Sequence, residues 1–126
     1  MEKYSVKIGG REIPLRYTMR ELADMEEAIG TMDQFRDLIL KGKHRIRNMA
    51  TAIRIMGNSG LKKAEMTADL TEDWLMEYMD PGKLKAYQIA VLGAFTDGFQ
   101  MESENERQQE RDLVLEEIER KKDAGN

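Results

Sequence analysis

Side chains able to do chemistry are sparse in this 126-residue chain, and the few present sit at uninformative spacings. The one histidine, His44, lies in the basic run Lys41-Gly42-Lys43-His44-Arg45, with no serine or carboxylate spaced to make it a general base. Cysteine is absent, which removes disulfides and thiolate catalysis, and a single histidine cannot supply a zinc ligand set. Carboxylates are plentiful, but most fall beside Lys or Arg in segments of helical periodicity, the pattern of a solvated face. No EF-hand alternation of Asp and Asn around a glycine occurs. Phosphate-cradling glycine patterns and the nucleophile elbow are also missing, and Gly9-Gly10 leads into a strand pattern rather than a helix. These residues imply no enzyme, no cofactor and no bound metal.

What remains is recognition chemistry. Ten methionines are present, and thioether chains are flexible and polarisable enough to accommodate varied partner helices. Met25, Met49, Met56 and Met79 fit apolar stripes and read as core. Met32, Met66, Met76 and Met101 fit less well, and with Trp74 they make a candidate partner-binding surface. Leu113, Val114 and Ile118 form a second candidate patch among charges near the C-terminus.

Charge is blocked along the chain. Arg36 to Lys63 carries eight bases and one acid, Ala64 to Gly82 six acids and no base, and residues 102–126 nine acids and five bases. Such blocks permit intramolecular pairing or self-association. The basic 36–63 segment could track phosphates, so a small nucleic-acid-associated regulator is one alternative. Aromatic residues that would stack on bases are missing from it, and the pI near 5.2 opposes non-specific attraction, which disfavours nucleic acid as a partner.

The elements that would position these residues follow from turn and cap signals. Alternation in Tyr4-Ser5-Val6-Lys7-Ile8 and Ile13-Pro14-Leu15-Arg16-Tyr17 around Gly9-Gly10 predicts a β-hairpin, with Pro14 on an outward edge position. Thr18 and Glu21 form a capping box before a helix that stops at Gly30, and Thr31 with Gln34 a second box before a helix that stops at Gly42. A third helix is expected from about His44 to Met56, ended by Gly57-Asn58-Ser59-Gly60, and a looser connection from Leu61 to Leu70. Thr71 caps a short helix carrying Trp74, and Asp80-Pro81 opens a helix to about Met101. Nearly apolar all round between Ile89 and Phe95, that last helix is the expected centre of the bundle.

The fold class is therefore mainly α: a small helical bundle with an N-terminal β-hairpin and a charged helical C-terminal tail. Residues 1–101 form the domain and 102–126 the tail. No secretory signal or membrane-length apolar run is visible, and mean hydropathy is -0.65, so no membrane contact and a cytoplasmic location are expected.

The order of segments carries a resemblance. Val6-Lys7-Ile8-Gly9-Gly10-Arg11-Glu12-Ile13-Pro14-Leu15-Arg16-Tyr17 runs into a helix closing on Glu26-Glu27-Ala28-Ile29-Gly30. Then come Met49-Ala50-Thr51-Ala52-Ile53-Arg54 and Leu70-Thr71-Glu72-Asp73-Trp74-Leu75 before a final long helix. Over residues 4–101 this resembles the tail assembly chaperones of long-tailed bacteriophages, especially those of phages and prophages of low-GC Gram-positive bacteria. The resemblance implies a non-enzymatic protein that binds the tape-measure protein, keeps it soluble and helps recruit tail-tube protein. Such a chaperone works in the host cytoplasm and is absent from the mature virion. It also implies that a longer, frameshifted form can exist, for which Lys121-Lys122 could mark a slippery run. A structural subunit of a tail assembly is the remaining alternative.

Overall fold

The structure, a computed structural model, describes residues 2–98. The described residues up to 95 make one compact unit. The expectations for Met101, Leu113, Val114, Ile118 and the charged tail lie outside the described residues.

The protein is mainly helical with an N-terminal two-stranded antiparallel hairpin, as the periodicities imply. Strand β1 (Ser5–Ile8) pairs with β2 (Arg11–Pro14) with Val6 opposite Ile13 and Ile8 opposite Arg11. Gly9 and Gly10 have φ of +59° and +77°, the two positive values that a two-residue loop between twisted strands requires. The pairing runs one step further, where the Leu15 N–H donates to the Tyr4 carbonyl at 2.9 Å. Hydrogen-bonded pairs alternate in an antiparallel ladder, so Tyr4, Val6 and Ile8 turn their backbone groups toward β2 and Ser5 and Lys7 turn theirs away. Val6, Ile8, Ile13 and Leu15 share the buried face, and Lys7 and Glu12 are exposed.

Helix α1 (Met19–Ala28) starts at the Thr18–Glu21 box, where the Glu21 carboxylate accepts the Thr18 N–H at 3.0 Å. The second box does not form. Thr31 makes no side-chain cap; a 3-10 turn over Met32–Gln34 satisfies the first amides through the backbone and delivers Phe35 into the core at the start of α2 (Phe35–Leu40).

Helix α3 spans Arg45–Lys63 and runs through the Gly57-Asn58-Ser59-Gly60 segment instead of ending there. These glycines are not a stop signal but a seat for the hairpin. A Cβ at Gly57 would lie 2.7 Å from Ile13 Cγ2 and 2.8 Å from Leu70 Cδ1, and one at Gly60 would fall on the Pro14 carbonyl. Pro14 is accordingly buried against α3, not turned outward. Close backbone approach outweighs the helix cost of about 1 kcal/mol per glycine. With both glycines committed, α3 ends in a Schellman motif on a non-glycine: Met66 N–H donates to Leu61 O, Glu65 N–H to Lys62 O, and Glu65 takes φ +58°.

The connection beyond is held by Asn58, whose side-chain amide accepts the Leu70 N–H at 2.9 Å and donates to the Leu70 carbonyl at 3.1 Å. Helix α4 (Glu72–Tyr78) begins as expected at Thr71, whose hydroxyl accepts the Trp74 N–H at 3.1 Å. Asp80 caps the 3-10 turn Pro81–Lys83, and α5 follows over residues 84–98. Helix α3 runs through the middle of the described elements. It packs on β2, α1, α2 and α4 and buries Met49, Ala50, Ala52, Ile53, Met56 and Leu61. On α5, Tyr87, Ala90, Val91 and Ala94 face the core while Ile89 is 61% exposed, so its apolar girth is not matched by burial all round.

Candidate functional site

Glu21 is the one buried charged residue among those described, 2% exposed. Its carboxylate accepts the Thr18 N–H and hydroxyl from its own helix start and the Ser59 hydroxyl from α3, thereby tying α1 to α3. Burial by itself would raise the carboxyl pKa, but hydrogen bonds from Ser59 and Thr18 outweigh it and hold the group below its ordinary value. The Ser59 hydroxyl is thus a hydrogen-bond donor to a carboxylate held in its charged form. Glu21 lies in the wall of an open groove of about 830 Å³ that also carries Arg16, Arg20, Arg54 and Lys62 with Asp24 and Glu65. Among the described residues, no group of three or more His, Asp and Glu side chains is placed to hold a metal ion. His44 is exposed at the start of α3.

The methionines divide much as their spacing implies. Met25, Met49 and Met56 are buried, and Met79 is partly buried against the core. Of the candidate surface residues, Met32 is also partly buried on the core, whereas Met66 and Met76 are 56% and 41% exposed. They do not form one patch. On α4, Met76 lies about 200° round the helix from Trp74, at 100° per residue, with buried Leu75 between them.

Trp74 instead pairs with Tyr78, one turn on, with ring centroids 5.1 Å apart. The pair packs on the hairpin turn, where a Cβ at Gly9 would meet the indole at 2.9 Å. Arg11 covers the indole at 5.4 Å and is held there by Asp69 at 2.9 Å and the Thr67 carbonyl at 3.1 Å. Half-buried Trp74 is therefore an anchor, and Tyr78, 54% exposed, is the side chain that faces outward.

No family model, no curated protein and no solved structure matches this chain.

The basic segment divides too. Exposed Lys41, Lys43, Arg45 and Arg47 gather at the α2–α3 corner, and Lys62 and Lys63 sit at the far end of α3. Arg45 and Lys63 are about 27 Å apart along the axis at ~1.5 Å per residue. Between them Arg54 is 3.5 Å from Glu72, which also accepts the Thr51 hydroxyl at 2.7 Å. The block is two separate clusters rather than one phosphate-tracking stripe.

Sequence reasoning missed Tyr78 and Ile89 as surface residues, along with Met19, and missed Glu21, Asn58 and Gly60 as joints. The α4 spacing held a signal for Tyr78, since Leu75 and Met79 alone complete the inward stripe. No helix in the described residues is long and apolar enough to cross a membrane.

Proposed function

We propose that this protein is a non-enzymatic tail assembly chaperone of a long-tailed bacteriophage or prophage, acting in the host cytoplasm. It binds the tape-measure protein, keeps it soluble, aids recruitment of tail-tube protein and is absent from the finished virion. The observation that carries the binding role is the outer side of the helical layer. Met76 and Tyr78 lie exposed on two sides of α4 and Met66 lies exposed just past α3, while Glu21, the buried carboxylate among the described residues, is committed to holding helices together. Exposed flexible thioethers and an exposed aromatic ring suit an amphipathic client helix. The resemblance in segment order supplies the identity of the client.

The test is co-expression with the long coiled-coil protein encoded beside this gene. The client should move from the insoluble to the soluble fraction when this chain is present, and purified virions should lack the chain. An unchanged client fraction would sink the chaperone reading. Stoichiometric recovery of the chain in virions would assign it instead to the tail structure.

A further inference from the structure

We infer that Arg11 is a latch that holds the connection between α3 and α4 against the hairpin turn, and that on its release this connection opens while the rest of the domain stays folded. The latch does not depend on the client proposed above.

Both ends of the connection are fixed and its middle is not. Leu61 and Leu70 are 0% and 4% exposed, and every residue from 62 to 69 is exposed. Asn58 clamps Leu70, and the Schellman motif fixes the chain as far as the Met66 N–H. Among the described residues, Thr67, Ala68 and Asp69 make no backbone–backbone hydrogen bond. The hydrogen bonds that Thr67 and Asp69 do accept both come from Arg11.

The Arg11 side chain makes three contacts at once. One guanidinium nitrogen donates to Asp69 Oδ1 at 2.9 Å, another donates to the Thr67 carbonyl at 3.1 Å, and the group lies 5.4 Å from the centre of the Trp74 ring. A planar fork can serve all three, which a single ammonium cannot. Its base is stiff, because Arg11 pairs with Ile8 across the Gly9-Gly10 turn.

The closed arrangement is opposed from within. Glu65 sits at φ +58°, a left-handed conformation that is costly for a residue with a side chain. Ordering residues 67–69 also costs backbone entropy, with no buried side chain in that stretch to offset it. The tie that resists opening is partly ionic and lies at the surface, with the Arg11 and Asp69 side chains 32% and 60% exposed, so salt weakens it. A segment with few buried contacts and an exposed tie opens before the core does. Opening takes the guanidinium off Trp74, leaves the indole on Gly9 and Tyr78, and releases Met66 from a fixed position. Ionic strength thereby sets how much apolar surface this side of the domain offers.

Trp74 is the one tryptophan of the chain, so its fluorescence reports on the latch. In the full-length protein, Arg11→Gln should raise acrylamide quenching of Trp74 and speed amide exchange at Glu65 and Met66 about fivefold or more, with circular dichroism unchanged. Asp69→Asn should shift both readings the same way, and the double variant should go no further than Arg11→Gln, since both act on one contact. Salt at about 1 M should move the wild type toward Arg11→Gln and leave that variant where it was. In low urea, exchange at Glu65 and Met66 should stay nearly constant, as for an opening that exposes little surface, whereas exchange at buried Ile53 should quicken. Unchanged quenching and exchange in a folded Arg11→Gln overturn the latch. So do additive effects in the double variant, a salt response that Arg11→Gln retains, or exchange at Glu65 and Met66 that follows Ile53 in urea.

Discussion

The seam between the hairpin and α3 and the outer flank of α4 lie on the same domain but are built differently. At the seam, Gly60 sits under the Pro14 carbonyl and the Arg16 N–H donates to the helix carbonyl of Met56, main chain on main chain, while the Ile13 side chain rests on Gly57. At Gly60 the nearest atoms are backbone, which cannot give way as a side-chain end can. On α4, a single inward residue, Leu75, is fully buried, a cap at Thr71 starts the helix, and Met76 and Tyr78 are 41% and 54% exposed. A contact made of backbone specifies one arrangement, whereas one made of thioether and aromatic ends can accept several. The division suggests that the seam keeps the fold while the α4 flank is left for binding.

Gly60→Ala should show the sharpest contrast. Its methyl group would have to displace the β2 backbone, and overpacking of that kind costs about 3 kcal/mol. Thermal melting checks it, and a loss near zero would mean that the seam is loose. Glu21→Gln comes next. Hydrogen bonds to a charged acceptor contribute about 2 kcal/mol, so chemical denaturation at neutral pH should show a loss of that order. Because the folded pKa lies below the ordinary value of 4.5, this stabilisation is complete above that pH and lost as pH falls through the folded value. The wild type should therefore lose its advantage over Glu21→Gln on acidification, and a constant gap between the two would contradict the hydrogen-bond account of Glu21. Glu65→Gly is a smaller effect of opposite sign. Removing the side chain from a left-handed position should stabilise the end of α3 by about 1 kcal/mol, read from the denaturation midpoint.

The limits of the sequence follow the same division. Signals that act within four residues were legible: Gly9-Gly10 as a turn, Thr18 with Glu21, Thr71, and Asp80 before Pro81. Each works through a local hydrogen bond or a positive φ that the residue type itself favours. Gly57 and Gly60 misled because glycine after a helical stretch ends it by default, and nothing nearby tells that a strand more than forty residues earlier lies on them. Pro14 misled for the matching reason. Its missing N–H excludes it from a ladder but does not say whether water or a helix covers it. Thr31 and Gln34 match a capping box in type, yet the 3-10 turn that brings Phe35 inward prevails because it buries the ring completely. The candidate surface was half legible. Residues off the apolar stripe pointed to Met66 and Met76, while Met32 proved partly buried and Trp74 became an anchor once Gly9 and Arg11 closed over it.

The binding role of the α4 flank is tested most directly by titrating the purified tape-measure protein with wild-type chain and with a triple variant, Met66→Ser, Met76→Ser and Tyr78→Ser. Met66 and Met76 are exposed, and their exchange should change stability by no more than about 0.5 kcal/mol each. Loss of the Tyr78 ring from its pair with Trp74 should cost about 1 kcal/mol, so the comparison is made well below both melting temperatures. The account predicts that the variant binds at least about tenfold more weakly, the loss of ~1.4 kcal/mol expected when apolar contacts are removed from an interface. Equal affinity of a folded variant would contradict it.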